Sequence, residues 1–381
     1  MSLQNFDVIV LGLGGMGSAA AYHIAARGKR VLGLDQYEAA HDRGSSHGES
    51  RIIRQAYYEN PAYVPLLQRA YELWERLERG SGASLLRLTG GLMIGPPGSA
   101  VVQGTIASAT EHHLPFEVLD VRELVRRFPV FRPRADDSAV YELRAGFLRP
   151  EAAVRAHLEL AARSGADLHF GERVESWQAT NEAVRVKTTR GEYSADHLVI
   201  APGAWAPELL ASIGVKFEIR RHAMCWFRPR AEADLFSPER LPVYIYDVDG
   251  RDCFYGFPQT SAADHGIKIA MHSGGAITTP GALDRNVGGG DIEELREHMQ
   301  RFLPALNGEY IQGAICMYTL TPDEHFVVAL HPQHKNVALA AGFSGHGFKF
   351  TTVIGEVLAD LATEGCTRQP IALFRPERFQ V

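Results

Sequence analysis

The hydrophobic pattern begins with an apolar run at Val8-Ile9-Val10-Leu11, a glycine turn, a helix of small residues (Ala19, Ala20, Ala21, Ala25, Ala26) and a second apolar run ending at Asp35. Residues 6–35 thus read as β-α-β. From Asn60-Pro61 onward, Tyr63, Leu66, Leu67, Ala70, Leu73, Trp74 and Leu77 recur at helical spacing until Gly80-Ser81-Gly82, which predicts an amphipathic helix. Residues 85–94 predict one strand, Gly95-Pro96-Pro97-Gly98 a loop, and residues 101–113 and 152–163 two further helices. Beyond Gly165 the runs are strand-like: residues 184–189 alternate, Arg190-Gly191 turns, and residues 197–201 are continuously apolar. Between 220 and 271, the segments 222–227, 243–246 and 253–257 predict antiparallel strands of a separate lobe, and helical spacing returns over 292–303. Residues 336–341 form a buried-strand run. A glycine-rich turn over 342–349 follows, then a helix over 351–363 with Val353, Ile354, Val357, Leu358 and Leu361 on one face.

Composition narrows what such a chain can do. At 381 residues it suits two domains, or one large α/β unit carrying an inserted lobe, and 45% hydrophobic with 22% charged residues describes a globular protein. A net charge of −6 with no compensating basic block argues against nucleic-acid or anionic-membrane partners, leaving a small-molecule substrate. No apolar stretch approaches the roughly 18 residues of a membrane span, and the first apolar run feeds straight into the glycine turn, so a cytoplasmic location is expected. Ser2-Leu3 is set aside as a remnant outside the fold. Cys225, Cys253, Cys316 and Cys366 lie far apart without a C-x-x-C pair, and no H-E-x-x-H accompanies the 16 histidines, so no metal is expected.

The turn itself reads Gly12-Leu13-Gly14-Gly15-Met16-Gly17, a G-x-G-x-x-G between a strand and a helix. Gly12 permits the tight turn, Gly14 lets backbone approach a pyrophosphate, and Gly17 lets the helix sit close to the strand. Asp35 falls where a carboxylate can accept from a ribose diol. The motif indicates a dinucleotide and does not separate FAD from NAD. The second strand, glycine turn and helix, at residues 336–363, places another positive helix end in the fold, which fits an extended cofactor contacted at both ends.

Four segments carry a resemblance: Gly44-Ser45-Ser46-His47-Gly48-Glu49-Ser50-Arg51-Ile52-Ile53-Arg54, Tyr255-Gly256-Phe257-Pro258, Cys316-Met317-Tyr318-Thr319 with Pro322-Asp323-Glu324-His325-Phe326, and Ala341-Gly342-Phe343-Ser344-Gly345-His346-Gly347-Phe348-Lys349-Phe350. In order along nearly the whole chain they resemble the monomeric sarcosine oxidase and N-methyltryptophan oxidase family, within the D-amino-acid-oxidase group of flavoproteins. The fold implied is α/β (α+β, two-lobed). A Rossmann-like FAD-binding domain would comprise residues 1–85, 146–219 and 315–381, and an inserted, mainly antiparallel substrate domain residues 86–145 and 220–314.

The resemblance implies FAD held covalently through Cys316, with Gly12, Gly14, Gly17, Asp35, Ser45, Val174, Gly342, Gly345, Gly347 and Lys349 among the cofactor-binding residues. Arg54 and Lys349 match the pair that holds a substrate carboxylate, and Tyr255 a pocket residue. Lys268 matches the lysine over the opposite face of the flavin that assists reaction with oxygen. His272 and Tyr318 match groups near the amine, and Arg51 and His47 match positions where positive charge favours reduced flavin. The sequence departs from the sarcosine oxidase pattern at Gln55 and Tyr58, where that pattern has histidine and glycine, and diverges over 222–226 and 259–265, so which N-alkyl or cyclic amino acid is the substrate, sarcosine included, stays open.

The implied reaction is oxidation of a secondary (N-methyl) amino acid by hydride transfer to FAD, imine hydrolysis, and reduction of O2 to H2O2 by a monomeric enzyme. Oxidases or dehydrogenases of cyclic or glycated amino acids are alternatives within enzymes, and a nucleotide-binding redox sensor is the alternative outside them. Charge adds one expectation: with Arg54, Lys349 and His272 disfavouring the substrate ammonium, activity rises toward alkaline pH.

Overall fold

The computed structural model describes residues 5–250 and 252–379, so the reading of Ser2-Leu3 lies outside it. The amino-terminal unit consists of strand Asn5–Leu11, helix Gly15–Ala25 and strand Val31–Leu34. Its first strand is apolar at consecutive positions because both faces are covered. Val8 and Val10 enter one hydrophobic cluster, Ile9 and Leu11 another, as alternation across a doubly covered sheet requires.

This strand lies inside an eight-stranded sheet. Asp167–His169, Val31–Leu34, Asn5–Leu11, Glu192–Ile200 and His334–Ala341 run parallel in that spatial order. Val327–His331 is antiparallel to His334–Ala341, and the hairpin of Val174–Ala179 and Val184–Thr188 pairs with the first half of Glu192–Ile200. Helices Gly15–Ala25, Val64–Ser81, Pro150–Arg163 and Thr351–Glu364 pack their buried residues into the same cluster on one face. The carboxyl ends of the parallel strands open on one crevice, which is where doubly wound sheets bind ligands.

A nine-stranded sheet makes the other lobe, in the order Ala276–Thr278, Glu218–Phe227, Ile267–Met271, Cys253–Gly256, Val243–Asp247, Gly91–Gly95, Ser138–Glu142, Glu117–Asp120, with Tyr310–Leu320 also on Glu218–Phe227. Every pairing is antiparallel except that of Val243–Asp247 with Gly91–Gly95. Helix Gly289–Phe302 covers it through Leu295, Met299 and Phe302. A small third sheet joins Arg51–Ile53, Gly146–Leu148 and Leu86–Leu88. Among the described residues no helix is long and apolar enough to cross a membrane.

Two expectations need correction. Residues 85–94 form two strands in different sheets, because Gly90 turns at φ +76° and the Thr89 and Gly90 N–H groups both bond to the Ala145 carbonyl. The boundary at 314/315 cuts strand Tyr310–Leu320, which is hydrogen-bonded to Glu218–Phe227 along its length. Cys316 and Tyr318 are therefore carried by the nine-stranded sheet. The 85/86 boundary likewise separates Leu86–Leu88 from the preceding segment, although that strand pairs with Gly146–Leu148.

Candidate active site

A cavity of about 420 Å³ follows the carboxyl ends of the parallel strands, lined by Gly12, Asp35, Ala201 and Gly342, the residues next after four of them. Its size falls within the roughly 300–1,000 Å³ of cofactor and ligand sites. At one end stands helix Gly15–Ala25, whose start carries no side-chain cap on its N-cap residue, leaving N–H donors toward an anion. Ser46 Oγ takes the Gly15 N–H at 3.1 Å. Gly14 lines the cavity, and a Cβ there would meet only Ser46 Oγ, at 3.8 Å, so the backbone is open to a close-lying group. Gly17 is not in the cavity wall; a Cβ on it would be driven into the Gly12 carbonyl, which makes it the contact between helix and turn. Asp35 is tied to the turn by accepting from Leu13 N–H (2.8 Å) and Tyr37 N–H (2.9 Å). A carboxylate offers about four acceptor directions, so it retains capacity for a diol. These features fit an adenine dinucleotide.

The middle of the wall comes from both lobes. Ser45, Val174, Gly345, Gly347, Arg51, Cys316, Tyr318, Tyr255 and His272 all line it. Cys316 is a buried free thiol whose Sγ lies 3.7 Å from Arg51 Nη2 and 3.8 Å from the Ser45 carbonyl. Ser45 itself donates to the Met317 carbonyl at 2.7 Å, fastening the 44–51 segment to the strand that bears the thiol. Tyr255 and Tyr318 hydrogen-bond to each other, and burial raises both phenols, so both stay neutral. His222, opposite Cys316 in the strand pair, stacks on Tyr318 with ring centroids 3.8 Å apart.

Two sequence expectations are placed differently. Lys268 is 1% exposed and lies behind the wall rather than in it. A buried ammonium needs acceptors, and its Nζ donates to the carbonyls of Gly48 and Ser50, both at 2.7 Å, and to Ser50 Oγ at 3.2 Å. His47 also stays outside the wall, and burial pushes its imidazolium down to about 4. It is neutral near pH 7, so the positive charge at this part of the wall belongs to Arg51. Burial likewise pushes His272 down to about 4, which removes it from the cations that would act on a substrate amine.

The far end of the cavity is built around Arg54, one residue past strand Arg51–Ile53 and 1% exposed. Its guanidinium lies between the rings of Tyr57 and Tyr58, with Cζ 4.2 and 4.4 Å from their centroids. Nη1 donates to the Ala56 carbonyl at 2.8 Å and Nη2 to both oxygens of Glu59 at 2.6 and 2.8 Å. Nε is left as a buried donor without a protein partner. The loop is held by Glu142, a buried carboxyl that accepts from the N–H groups of Gln55 and Ala56. Lys349, from the other end of the chain, is 5% exposed, and burial, reinforced by the charge of Arg54, lowers its ammonium to about 7. Burial pulls the Glu59 carboxyl upward, but the charge of Arg54, helped by Lys349 and by the hydrogen bonds from Arg54, outweighs it and holds it at about 2.

Sequence reading did not single out Glu59, Tyr57, His222 or Glu142. For Glu59 a signal existed, since an acid five residues after an arginine in one loop can close on it. The others depend on contacts between distant segments. Among the described residues, no group of three or more His, Cys, Asp or Glu side chains could hold a metal ion.

Comparison with known proteins gives a consistent picture. The model of the FAD dependent oxidoreductase (DAO) family matches residues 7–361. The chain is 52% identical over 376 residues, 98% of each protein, to a monomeric sarcosine oxidase of Streptomyces avermitilis. It is 33% identical to an N-methyl-L-tryptophan oxidase of Yersinia pestis, covering 99% of this chain and 100% of that one. Among solved structures, NikD, an unusual amino acid oxidase essential for nikkomycin biosynthesis, matches with a TM-score of 0.83 and 25% identity, covering 98% of both chains. L-proline dehydrogenase from P. horikoshii matches in fold at a TM-score of 0.84 and 24% identity, covering 99% of this chain and 98% of that one.

Proposed function

The chain belongs to the DAO family of FAD-dependent oxidoreductases, and from that premise we propose that it oxidises a small N-methyl amino acid, such as sarcosine, at the bond between nitrogen and the N-methyl carbon. The observation that carries the reading is the pairing of Arg54 and Lys349, two buried cations in the wall of the same cavity that holds the glycine turn and Cys316. Two such cations suit a carboxylate, with the planar guanidinium able to form charge-assisted bonds of about 1.5–3 kcal/mol each.

FAD would supply, when bound, an acceptor for one hydride, whose two electrons would go on with two protons to O2, giving H2O2. Gly12, Gly14, Asp35, Ser45, Val174, Gly342, Gly345 and Gly347 would hold it, and Cys316 is the residue that would link to it covalently. Arg54 and Lys349 anchor the substrate carboxylate, which fixes the amine and its methyl group near Tyr255, Tyr318 and His272. The neutral His272 and the two neutral phenols can hold the amine without adding positive charge to it. Arg51 supplies fixed positive charge beside Cys316. Lys268 acts from the layer behind, where its Nζ ties down the Gly48 and Ser50 carbonyls of the segment that carries Arg51, burial holding its ammonium well below the ordinary lysine range. The imine leaves the dry wall to be hydrolysed, giving formaldehyde and the demethylated amino acid.

The relatives named as monomeric support a monomer, and four free cysteines suit a reducing cytoplasm. The test is direct. Purified protein is yellow, the yellow colour stays in an acid-precipitated pellet, and anaerobic sarcosine or another N-methyl amino acid bleaches it. Formaldehyde and H2O2 then form in equal amounts under air; a colourless protein, or a yellow one that no N-methyl amino acid bleaches, refutes the proposal.

A further inference from the structure

The two cations of the carboxylate site come from opposite ends of the chain, yet both rest on one side chain. Tyr57 is fully buried and stands behind the cavity wall. Its ring carries the Arg54 guanidinium at 4.2 Å. Its hydroxyl lies 2.6 Å from His346 Nδ1 and 3.4 Å from Lys349 Nζ, 292 positions away in sequence.

The proton directions in this cluster are fixed by chemistry. His346 Nε2 is 3.1 Å from the backbone carbonyl of Glu324. A carbonyl oxygen only accepts, so Nε2 bears the hydrogen. Burial holds the His346 imidazolium at about 3, so the ring is neutral and Nδ1 is an acceptor. Tyr57 therefore spends its single proton on Nδ1, and its oxygen faces Lys349 as an acceptor. A second Lys349 proton goes to the His346 carbonyl at 2.6 Å. An ammonium has three donors; two are taken by the protein and one remains.

We propose that Tyr57 is the positioning residue of the carboxylate site: its ring holds Arg54, and its hydroxyl, oriented through His346 by the Glu324 carbonyl, aims the free N–H of Lys349 at the anion. This rests on the reading that Arg54 and Lys349 bind a carboxylate. The charged groups that face Lys349 are Arg54 and Glu59, while His272 and His346 beside it are neutral. Replacing the Tyr57 hydroxyl by hydrogen leaves all four in place and removes one acceptor from the ammonium, which favours the neutral amine. Lys349 in Tyr57→Phe then loses its proton at lower pH.

The experiment is titration of the holoenzyme with acetate between pH 6 and 9, followed through the flavin absorbance, for wild type, Tyr57→Phe and Lys349→Met. Tyr57→Phe keeps the ring under Arg54. It should bind acetate about three- to tenfold more weakly at pH 8, the loss expected for one long hydrogen bond of ordinary strength, and its affinity should begin to fall at lower pH than in wild type. Wild-type affinity and pH profile in Tyr57→Phe, with affinity lost in Lys349→Met, overturn the inference and leave the carboxylate reading standing. Undiminished acetate binding in Lys349→Met overturns the carboxylate reading itself. Should Tyr57→Phe fail to accumulate with flavin, ¹⁵N-histidine NMR of the wild type decides. His346 as the Nε2–H tautomer from pH 6 to 9 supports the chain of protons, and an Nδ1–H or charged ring refutes it.

Discussion

Glu59 is the residue whose replacement tests the site most severely, because it occupies Arg54 as a substrate carboxylate would. Its oxygens accept from Arg54 Nη2 at 2.6 and 2.8 Å, and with its carboxyl held at about 2 it is charged at every working pH. A ligand carboxylate held between Arg54 and Lys349 would lie within roughly 5–6 Å of it, where like charges cost about 3 kcal/mol at an effective dielectric of about 20. Glu59→Gln removes that repulsion while keeping an acceptor for Arg54. One effect opposes the gain: Glu59 also supports the ammonium of Lys349, so without it Lys349 falls below its value of about 7. At pH 6, below the wild-type value of about 7, that opposing effect is smallest, and the net gain for acetate should be about 1–3 kcal/mol, or roughly 5- to 150-fold in Kd. Stability moves the other way. Arg54 loses its buried counter-ion, a change that costs up to about 3–5 kcal/mol when nothing replaces the partner and less when an amide does. Tm of Glu59→Gln should therefore drop, and acetate should restore more of it than it adds to wild type. The assays are flavin-absorbance titration at pH 6 and thermal melts with and without acetate. Acetate binding no tighter than in wild type would show that Glu59 supports the anion rather than competing with it.

Cys316→Ser should fold, since the thiol makes only contacts of 3.7–3.8 Å, but should release its flavin into the acid supernatant; yellow colour left in the pellet would place the linkage elsewhere. Acetate affinity in wild type should be steady below pH 7 and fall toward tenfold per unit above it, because Lys349 is depressed to about 7 and its protonated form binds the anion; Lys349→Met should show no such limb. The rate of flavin reduction at saturating N-methyl amino acid should rise from pH 6 to 9 as the substrate amine loses its proton, and a flat profile would contradict this. The rise is set by Arg54 and Lys349 against Glu59, because His272 is neutral throughout that range. Gly17→Ala drives a methyl group into the Gly12 carbonyl, so backbone must shift at a cost of at least about 1–3 kcal/mol; FAD-loaded protein should be scarce, and normal loading would show that helix Gly15–Ala25 can move away freely.

The architecture was legible wherever burial imposes a period. Helix Val64–Ser81 buries Val64, Leu66, Leu67, Ala70, Tyr71, Leu73, Trp74 and Leu77, the stripe its sequence displays. The continuous runs at Asn5–Leu11 and His334–Ala341 are parallel strands covered on both faces. Legibility failed where a period crosses a break that leaves it intact. Leu86–Leu88 and Gly91–Gly95 share one apolar stretch, and only the positive φ of Gly90 sends them to different sheets. The domain limit drawn at 315 failed for a related reason: a motif that lines the cavity need not sit on the eight-stranded sheet, and Cys316 reaches it from the nine-stranded one.

Chemistry at the site was legible as residue types and much less as charge. Arg54, Lys349, His272 and His47 are each a cation or a potential one in sequence, and an account built on that alone gives a strongly positive pocket. Desolvation is a property of the packed state, however, and it leaves His272 and His47 neutral and Lys349 near the midpoint of its titration at pH 7. Arg54 keeps its charge and is balanced by Glu59 from its own loop. The end of the pocket around Arg54 and Lys349 is close to neutral without a ligand, with a charge that one carboxylate and one proton on Lys349 can adjust. A substrate that is itself a zwitterion suits that balance. Its anion can join Arg54 and Lys349 beside Glu59, and its ammonium, facing neutral His272 and two neutral phenols, can give up a proton without adding positive charge there.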